Sequence, residues 1–341
     1  MKKIKIVILG LNFGRTIAEE LSGGDNYGIE LYGVCDLDKG KADELGKKYN
    51  VKSFYDLDEV LADSEIDAVG VYTGPNGRAK MISKIINADR HVMTTKPFEI
   101  DADAALEVLN EAEKLGKIIH MNSPNQRPFG EMVHISKWIK EGRIGMPTIA
   151  HSDVWVYYGK TKADLNSWYD DPLKCPVAPI FRLGIYPLNN ILTIFNDPVE
   201  VQVATSRIET EKPTPDNASV TIKFADGAIV NLQGSFVVGG LDKYKNSLTI
   251  GGTEGVIYFE TGPRNREEYN SAILTLSRED GIEEVKIDQK SGLYDWEYFA
   301  HRVNGGEKDE NELTAEQIVK SVKLMNAISK AEMSGEIVKI S

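Results

Sequence analysis

Read for its pattern of apolar and polar positions, the chain changes character near residue 122. Before that point, short unbroken apolar runs alternate with stretches of helical period. Ile4 to Leu9, Ile29 to Cys35, Ile66 to Tyr72, His91 to Thr95 and Ile118 to Met121 read as strands buried on both faces of a parallel sheet. Helices are expected between them: Arg15 to Leu21, Lys39 to Tyr49, Leu57 to Ala62, Arg78 to Ala88, and a fifth from an Asp101 cap through Leu115, closed by Gly116. This βαβ alternation predicts a doubly wound parallel sheet over residues 1–122. From Thr148 the period becomes two, so Ile149, His151, Asp153, Trp155 and Tyr157 share one strand face and Ala150, Ser152, Val154, Val156 and Tyr158 the other. Val220, Ile222 and Phe224 alternate with polar neighbours, Asp226-Gly227 turns a hairpin into Ile229 to Phe236, and four further strands follow near 248–250, 256–259, 273–276 and 284–287. With helices at Glu131 to Glu141, Ile185 to Phe195, Tyr294 to Val303 and Ala315 to Met333, residues 123–341 are expected to form an α+β domain on an open, mainly antiparallel sheet.

The candidate chemistry lies where the strands of the first half end. The first runs into Gly10-Leu-Asn12-Phe13-Gly14 and then a helix, and unpaired backbone N–H groups at a helix start favour an anion such as a pyrophosphate. The usual GxGxxG spacing is not intact, although Asn12, near the second glycine position, can adopt left-handed angles. Asp36 ends the second strand at the spacing of the acid that holds an adenosine ribose. A carboxylate there accepts from both ribose hydroxyls and repels a 2′-phosphate, which favours NAD over NADP without excluding NADP. Its alternative role is to cap the helix that begins at Lys39. Thr73-Gly-Pro75-Asn76 closes the fourth strand at the same cleft edge. Lys96-Pro97 closes the fifth, where an ammonium held partly out of water suits proton transfer to or from an alcohol oxygen.

Composition narrows the partners. A chain of 341 residues, 41% hydrophobic, is expected to hold two domains, and its net charge of -12 provides no footprint for nucleic acid. The only two cysteines, Cys35 and Cys175, form no CxxC pair, and the five histidines show no metal-ligand spacing, so a metal-free protein without a disulfide framework is expected. With neither a signal-peptide pattern nor a long apolar run, the expected location is cytoplasmic, away from membranes.

Taken in order, the Gly10–Gly14 turn, Asp36, Thr73-Gly-Pro75-Asn76, Lys96-Pro97 and Asn125-Gln126-Arg127 resemble the glucose-fructose oxidoreductase and inositol dehydrogenase family, Gfo/Idh/MocA. The second half fits the resemblance through Trp168 before Asp171-Pro172 and through Thr249-Ile-Gly-Gly-Thr-Glu-Gly255. The resemblance implies an NAD-binding Rossmann domain followed by a substrate and oligomerisation domain, in a homodimer or homotetramer. It implies hydride transfer between the nicotinamide and a secondary alcohol of a sugar, polyol or sugar acid. Gly10, Asn12, Phe13, Gly14, Asp36, Thr73, Pro75, Asn76, Lys96, Pro97 and Gln126 would hold the cofactor. Lys96 and Tyr186 would handle the hydroxyl proton, and Arg182, Asn189, Tyr157 and Trp168 would line the substrate. Where the family carries Asp-x-Gly-x-His-x-x-Asp, this chain has Arg182-Leu-Gly184-Ile-Tyr186-Pro-Leu-Asn189, and Thr94-Thr95 stands where a Glu usually precedes Lys-Pro. Arginine in place of aspartate exchanges a base for a permanent cation, which fits an anionic substrate such as a uronate. Two alternatives within the resemblance are a cofactor-binding regulator without turnover and an NAD-dependent glycoside hydrolase.

Overall fold

The computed structural model describes residues 2–23, 27–164, 167–240, 244–261, 271–288 and 294–340. It separates into two compact units, Met1–Arg127 with Leu293–Val319, and Pro128–Gly292 with Lys320–Ser341.

The first unit is built on six strands: β1 (Ile4–Leu9), β2 (Ile29–Cys35), β3 (Lys52–Phe54), β4 (Ala68–Val71), β5 (His91–Thr94) and β6 (Ile119–Met121). All pair in parallel, in the order β3-β2-β1-β4-β5-β6. The order reverses between β1 and β4, and the crevice beyond their carboxyl ends is where a doubly wound sheet takes its ligand. The connecting helices are α1 (Gly14–Ser22), α2 (Lys39–Tyr49), α3 (Leu57–Ala62), α4 (Arg78–Asn87) and α5 (Ala102–Lys114). Asp38, not Asp36, caps α2, accepting from the Lys41 N–H at 3.3 Å. Asp101 caps α5 as expected, accepting from Asp103 and Ala104. β3 escaped the pattern reading because only Phe54 of its three residues is buried.

The second unit carries α6 (Met132–Lys140), then β7 (Pro147–Val156), a wide π-helical turn at Ile180–Gly184, and α7 (Ile185–Ile194). Next come β8 (Pro198–Ser206), β9 (Asn217–Phe224), β10 (Ile229–Ser235), β11 (Tyr244–Gly252), β12 (Gly255–Thr261), β13 (Ser271–Arg278) and β14 (Gly281–Asp288), and β15 (Val338–Lys339) closes the chain. The sheet order is β14-β13-β12-β11-β7-β10-β9-β8-β15. The β7–β10 pair is parallel and the other pairs are antiparallel. One sheet face buries Val220, Ile222, Phe224, Leu232, Leu248 and Leu274 in a core with Trp138, Leu188 and Ile191 of the helices. Along β7, Ala150, Ser152 and Val154 are buried while Ile149 and His151 are exposed, the alternation expected of a half-covered strand. Asp153 departs from it: it is buried on the open face by hydrogen bonds from His151 and Ser247.

The units are not the consecutive blocks 1–122 and 123–341 that the pattern implied. After β14 the chain returns to the first unit through α8 (Trp296–Val303) and the start of α9 (Ala315–Ser334). Tyr294, Trp296, Phe299 and Ala300 join Ile4, Ile6, Ile17 and Ile29 in one core. The Trp296 indole N–H donates to Glu20 at 3.0 Å, and burial raises the Glu20 pKa. Arg127, at the exit from the first sheet, donates to Asp295 at 2.8 Å and lies over the Tyr298 ring, so the outgoing and returning strands of chain are tied together.

Candidate functional site

In the first unit the site is a turn and three strand ends. Gly10 has φ +91°, and a Cβ there would sit 3.0 Å from the Tyr72 carbonyl carbon. A Cβ on Gly14 would meet Ile8 at 2.8 Å, so glycine is required at both positions. The turn is closed by the Gly14 N–H donating to the Gly10 carbonyl at 3.1 Å. α1 begins at Phe13 without a side-chain cap and without an acid in its first turn. The N–H groups of Gly14 and Thr16 are used by the Gly10 and Phe13 carbonyls, so what α1 offers an anion is the uncapped, acid-free positive end of its dipole.

Asp36 stands across the turn. One carboxylate oxygen accepts from the Leu11 N–H at 2.8 Å and the other from the Asp38 N–H at 2.9 Å. The carboxylate therefore fixes the glycine turn while keeping lone pairs for further donors. Asn12 turns its side-chain oxygen to Lys41, which donates at 2.9 Å. Phe13, an exposed ring of the turn, packs against the buried Tyr72 ring with centroids 5.9 Å apart.

Lys96 is buried, 7% exposed, and its N–H donates to the Asn122 side chain at 3.2 Å. The adjoining segments are locked by two charged residues that the sequence pattern did not single out. Arg78 is 1% exposed, and its guanidinium donates to the carbonyls of Thr73, Thr95, Pro97 and Phe98. One side chain thus ties the segment after β4 to the segment after β5, with Lys96 between two of the held carbonyls. Glu99, also buried, accepts from the N–H groups of Gly77 at 3.3 Å, Ala79 at 2.7 Å and Ile100 at 2.8 Å. It serves as the cap that α4 lacks at its own Gly77. Of the expected cofactor residues, Pro75 is buried, Thr73 half-buried and Asn76 exposed along this edge. Gln126 is placed differently: its amide donates to the Ile119 carbonyl at 2.7 Å, along the outer edge of β6.

In the second unit, the π-helical turn carries Arg182 and leads directly to Tyr186 and Asn189 on α7. The Arg182 guanidinium carbon lies 4.8 Å from the Tyr158 and Tyr169 ring centroids and 4.9 Å from that of Phe236. Three π faces around one planar cation fix its orientation. Trp168 stacks on Tyr169 with centroids 4.1 Å apart, so the tryptophan segment is part of the same cluster. That segment is pinned by Asp170, 3% exposed, which accepts from Lys212 at 2.8 and 2.9 Å and from the Asp164 N–H at 2.9 Å. Tyr186 packs half-buried against the core, and Asn189 is buried. Tyr157 does not join the cluster. It lies on the opposite face of its strand from Tyr158, and its hydroxyl donates to Glu209 at 3.2 Å.

Residues 4–123 match the family model of oxidoreductases with an NAD-binding Rossmann fold, and residues 132–258 match the GFO/IDH/MocA C-terminal domain. The chain belongs to the Gfo/Idh/MocA oxidoreductase family. Its first unit is an NAD-binding Rossmann domain. Among relatives, the inositol 2-dehydrogenase of Salmonella typhimurium is 25% identical over 150 residues, a match spanning 43% of each chain and thus under half of that enzyme. The 1,5-anhydro-D-fructose reductase of Ensifer adhaerens is 23% identical over 292 residues, covering 85% of this chain and 84% of that one. The fold is shared with levoglucosan dehydrogenase solved in complex with NADH, at a TM-score of 0.77 and 15% identity over 99% of both chains. Among the described residues of this Gfo/Idh/MocA protein, no helix is long and apolar enough to cross a membrane.

Proposed function

We propose that the protein is an NAD-dependent dehydrogenase that moves a hydride between the nicotinamide and a secondary alcohol of a sugar, polyol or sugar acid. The observation that carries this reading is the uncapped start of α1 beside the Gly10–Gly14 turn, with the Asp36 carboxylate anchored across it. When bound, NAD supplies the hydride acceptor. The chain supplies the rest: the positive end of α1 for the pyrophosphate, Asp36 for the ribose, and the Thr73–Asn76 edge for the nicotinamide half. Lys96 holds or accepts the proton of the reacting hydroxyl, and its burial keeps that exchange away from bulk water. In the second unit, Tyr186 is the candidate acid or base for a substrate hydroxyl, and Asn189 orients it. Arg182, held flat by its three rings, pairs with an anionic group of the substrate, which makes uronates and aldonates the preferred class.

The test begins with a titration of the purified protein with NADH and with NADPH, followed by energy transfer from tryptophan to the reduced ring. A screen of acidic and neutral sugars for cofactor reduction comes next. Tight NADH binding, weaker NADPH binding and net reduction with a sugar acid are expected. Binding of neither cofactor, or binding with no turnover of any sugar in either direction, would overturn the reading.

A further inference from the structure

Beside β6, away from the glycine turn, the first unit holds a half-open pocket of about 530 Å³. Its walls come from the end of α5, from β6, from the end of α8 and from the start of α9. This is within the size range of small-molecule sites. Two buried polar side chains in the wall are unsatisfied. His120 is 0% exposed, and neither ring nitrogen has a hydrogen-bond partner among the described residues. Gln126 is 7% exposed; its amide N–H is taken by Ile119, but its side-chain oxygen has no partner there. A buried polar atom left unpaired costs about 1–3 kcal/mol, so three in one wall mark a place where a partner is needed.

The charges of the pocket indicate what that partner is. Glu312 takes up Arg302 at 3.2 Å and Lys308 at 3.9 Å and accepts from the Tyr298 hydroxyl, while Lys117 is paired with Asp89. The remaining acids, Glu113 and Glu316, are exposed. The lining cations Lys117, Arg302 and Lys308 are matched in number by the acids Glu113, Glu312 and Glu316, so the pocket has no net positive charge to draw an anionic ligand. A neutral imidazole needs one donor and one acceptor from outside, and the Gln126 oxygen needs a donor. Adjacent hydroxyls satisfy all three, and Leu109, Leu313 and Ile318 offer apolar wall to the C–H face that bears them. We propose that this pocket binds an uncharged polyhydroxylated small molecule, a polyol or neutral sugar, at a second site on the nucleotide domain. Burial pushes His120 down to about 4, so the imidazole stays neutral at physiological pH.

The site is tested on the intact protein with ¹⁵N-histidine labelling. Each of the five histidines gives its own ring-nitrogen signals, and His120→Gln identifies those of His120. Addition of myo-inositol or D-glucose should shift the His120 signals saturably and give nuclear Overhauser contacts from the sugar C–H protons to the His120 ring. Sodium phosphate should leave them in place. Movement with phosphate instead of the two neutral ligands would overturn the assignment. So would contacts to water alone, with no response to either sugar at saturating concentration. The readout is independent of turnover, so it stands or falls separately from the proposed dehydrogenase activity.

Discussion

Asp36→Ala is the most informative single change, because the carboxylate has two separable tasks. In the free protein it accepts the Leu11 and Asp38 N–H groups at 2.8 and 2.9 Å. A hydrogen bond to a charged group contributes about 1.5–3 kcal/mol, and the partial exposure of Asp36 puts these two at the low end. Loss of the anchor should therefore lower Tm by a few degrees without unfolding the unit. The second task is the ribose. Losing the acceptor for its hydroxyls, together with a looser turn, should weaken NADH by about 1.4–2.8 kcal/mol, a 10- to 100-fold rise in Kd. NADPH should weaken much less, because the charge that repels its 2′-phosphate is removed as well, so the preference for NADH narrows. Asp36→Asn keeps one acceptor and should hold the turn better than alanine while still losing discrimination. Tryptophan-to-NADH energy transfer measures both affinities, and thermal melting without cofactor reads the anchor alone. If NADH affinity and the NADH-to-NADPH ratio both stay at wild-type values, Asp36 is only a loop anchor and the cofactor argument fails.

Lys96→Met should cut kcat by about 10²- to 10⁴-fold while NADH binding stays within a few-fold of wild type; stopped-flow and titration separate these, and an unaffected kcat would remove Lys96 from the proton step. Arg182→Ala should raise KM for sugar acids at least tenfold and leave neutral polyols unchanged; equal turnover of both classes by the wild type would refute the anionic-substrate assignment. Arg78→Met leaves four carbonyls without their donor in a buried site, so a loss of about 3–5 kcal/mol in urea denaturation is expected, and a shift below 1 kcal/mol would show the segments hold without it. His91 and His120 are both held down to about 4 by burial, and His91 accepts the Ile118 N–H at 3.0 Å in its neutral form. Between about pH 6.5 and 4 the unfolded chain then binds more protons than the folded one, so stability should fall as pH drops through that window and level off below it. The slope approaches ~1.4 kcal/mol per pH unit for each fully buried ring and is smaller for His91; a flat urea midpoint across the window would contradict it.

Much of the fold could be read from the chain because periodicity reports burial. Strands such as Ile4–Leu9 and helices such as Lys39–Tyr49 and Leu57–Ala62 have the predicted bounds. The failures have physical causes. β8 alternates clearly, Val199, Val201 and Val203 against Glu200 and Gln202, but it begins at Asp197-Pro198, a pair that reads as a turn. α8 was found as a helix but assigned to the wrong unit, because an aromatic face states that a helix is buried and not which core buries it. The sequence reading offers Asp36 as a cap of α2 and passes over Asp38, which takes that role, because which carboxylate meets the Lys41 N–H depends on where the backbone turns. Tyr157 and Tyr158 differ only in strand parity, and it is Tyr158 that meets Arg182.

The residues of the proposed site that the sequence singles out are those whose type would be dictated by what they touch: glycines where backbone must approach, a carboxylate for a ribose, a lysine beside an alcohol. The residues that hold those groups in place were not legible. Arg78, Glu99, Asp170 and Lys212 look in sequence like ordinary charges on helix faces and loops, where charged residues are usually solvated. What distinguishes Arg78 and Glu99 is that several carbonyls or N–H groups converge on each, and what distinguishes Asp170 and Lys212 is that they pair with each other across 42 residues; both are tertiary properties. A buried charge that satisfies three or four backbone groups cannot be exchanged for a neutral side chain without leaving those groups unpaired. Substitutions at Arg78 or Lys212 should therefore disturb the site through the backbone that carries Lys96 or Tyr169, although neither residue need contact a ligand.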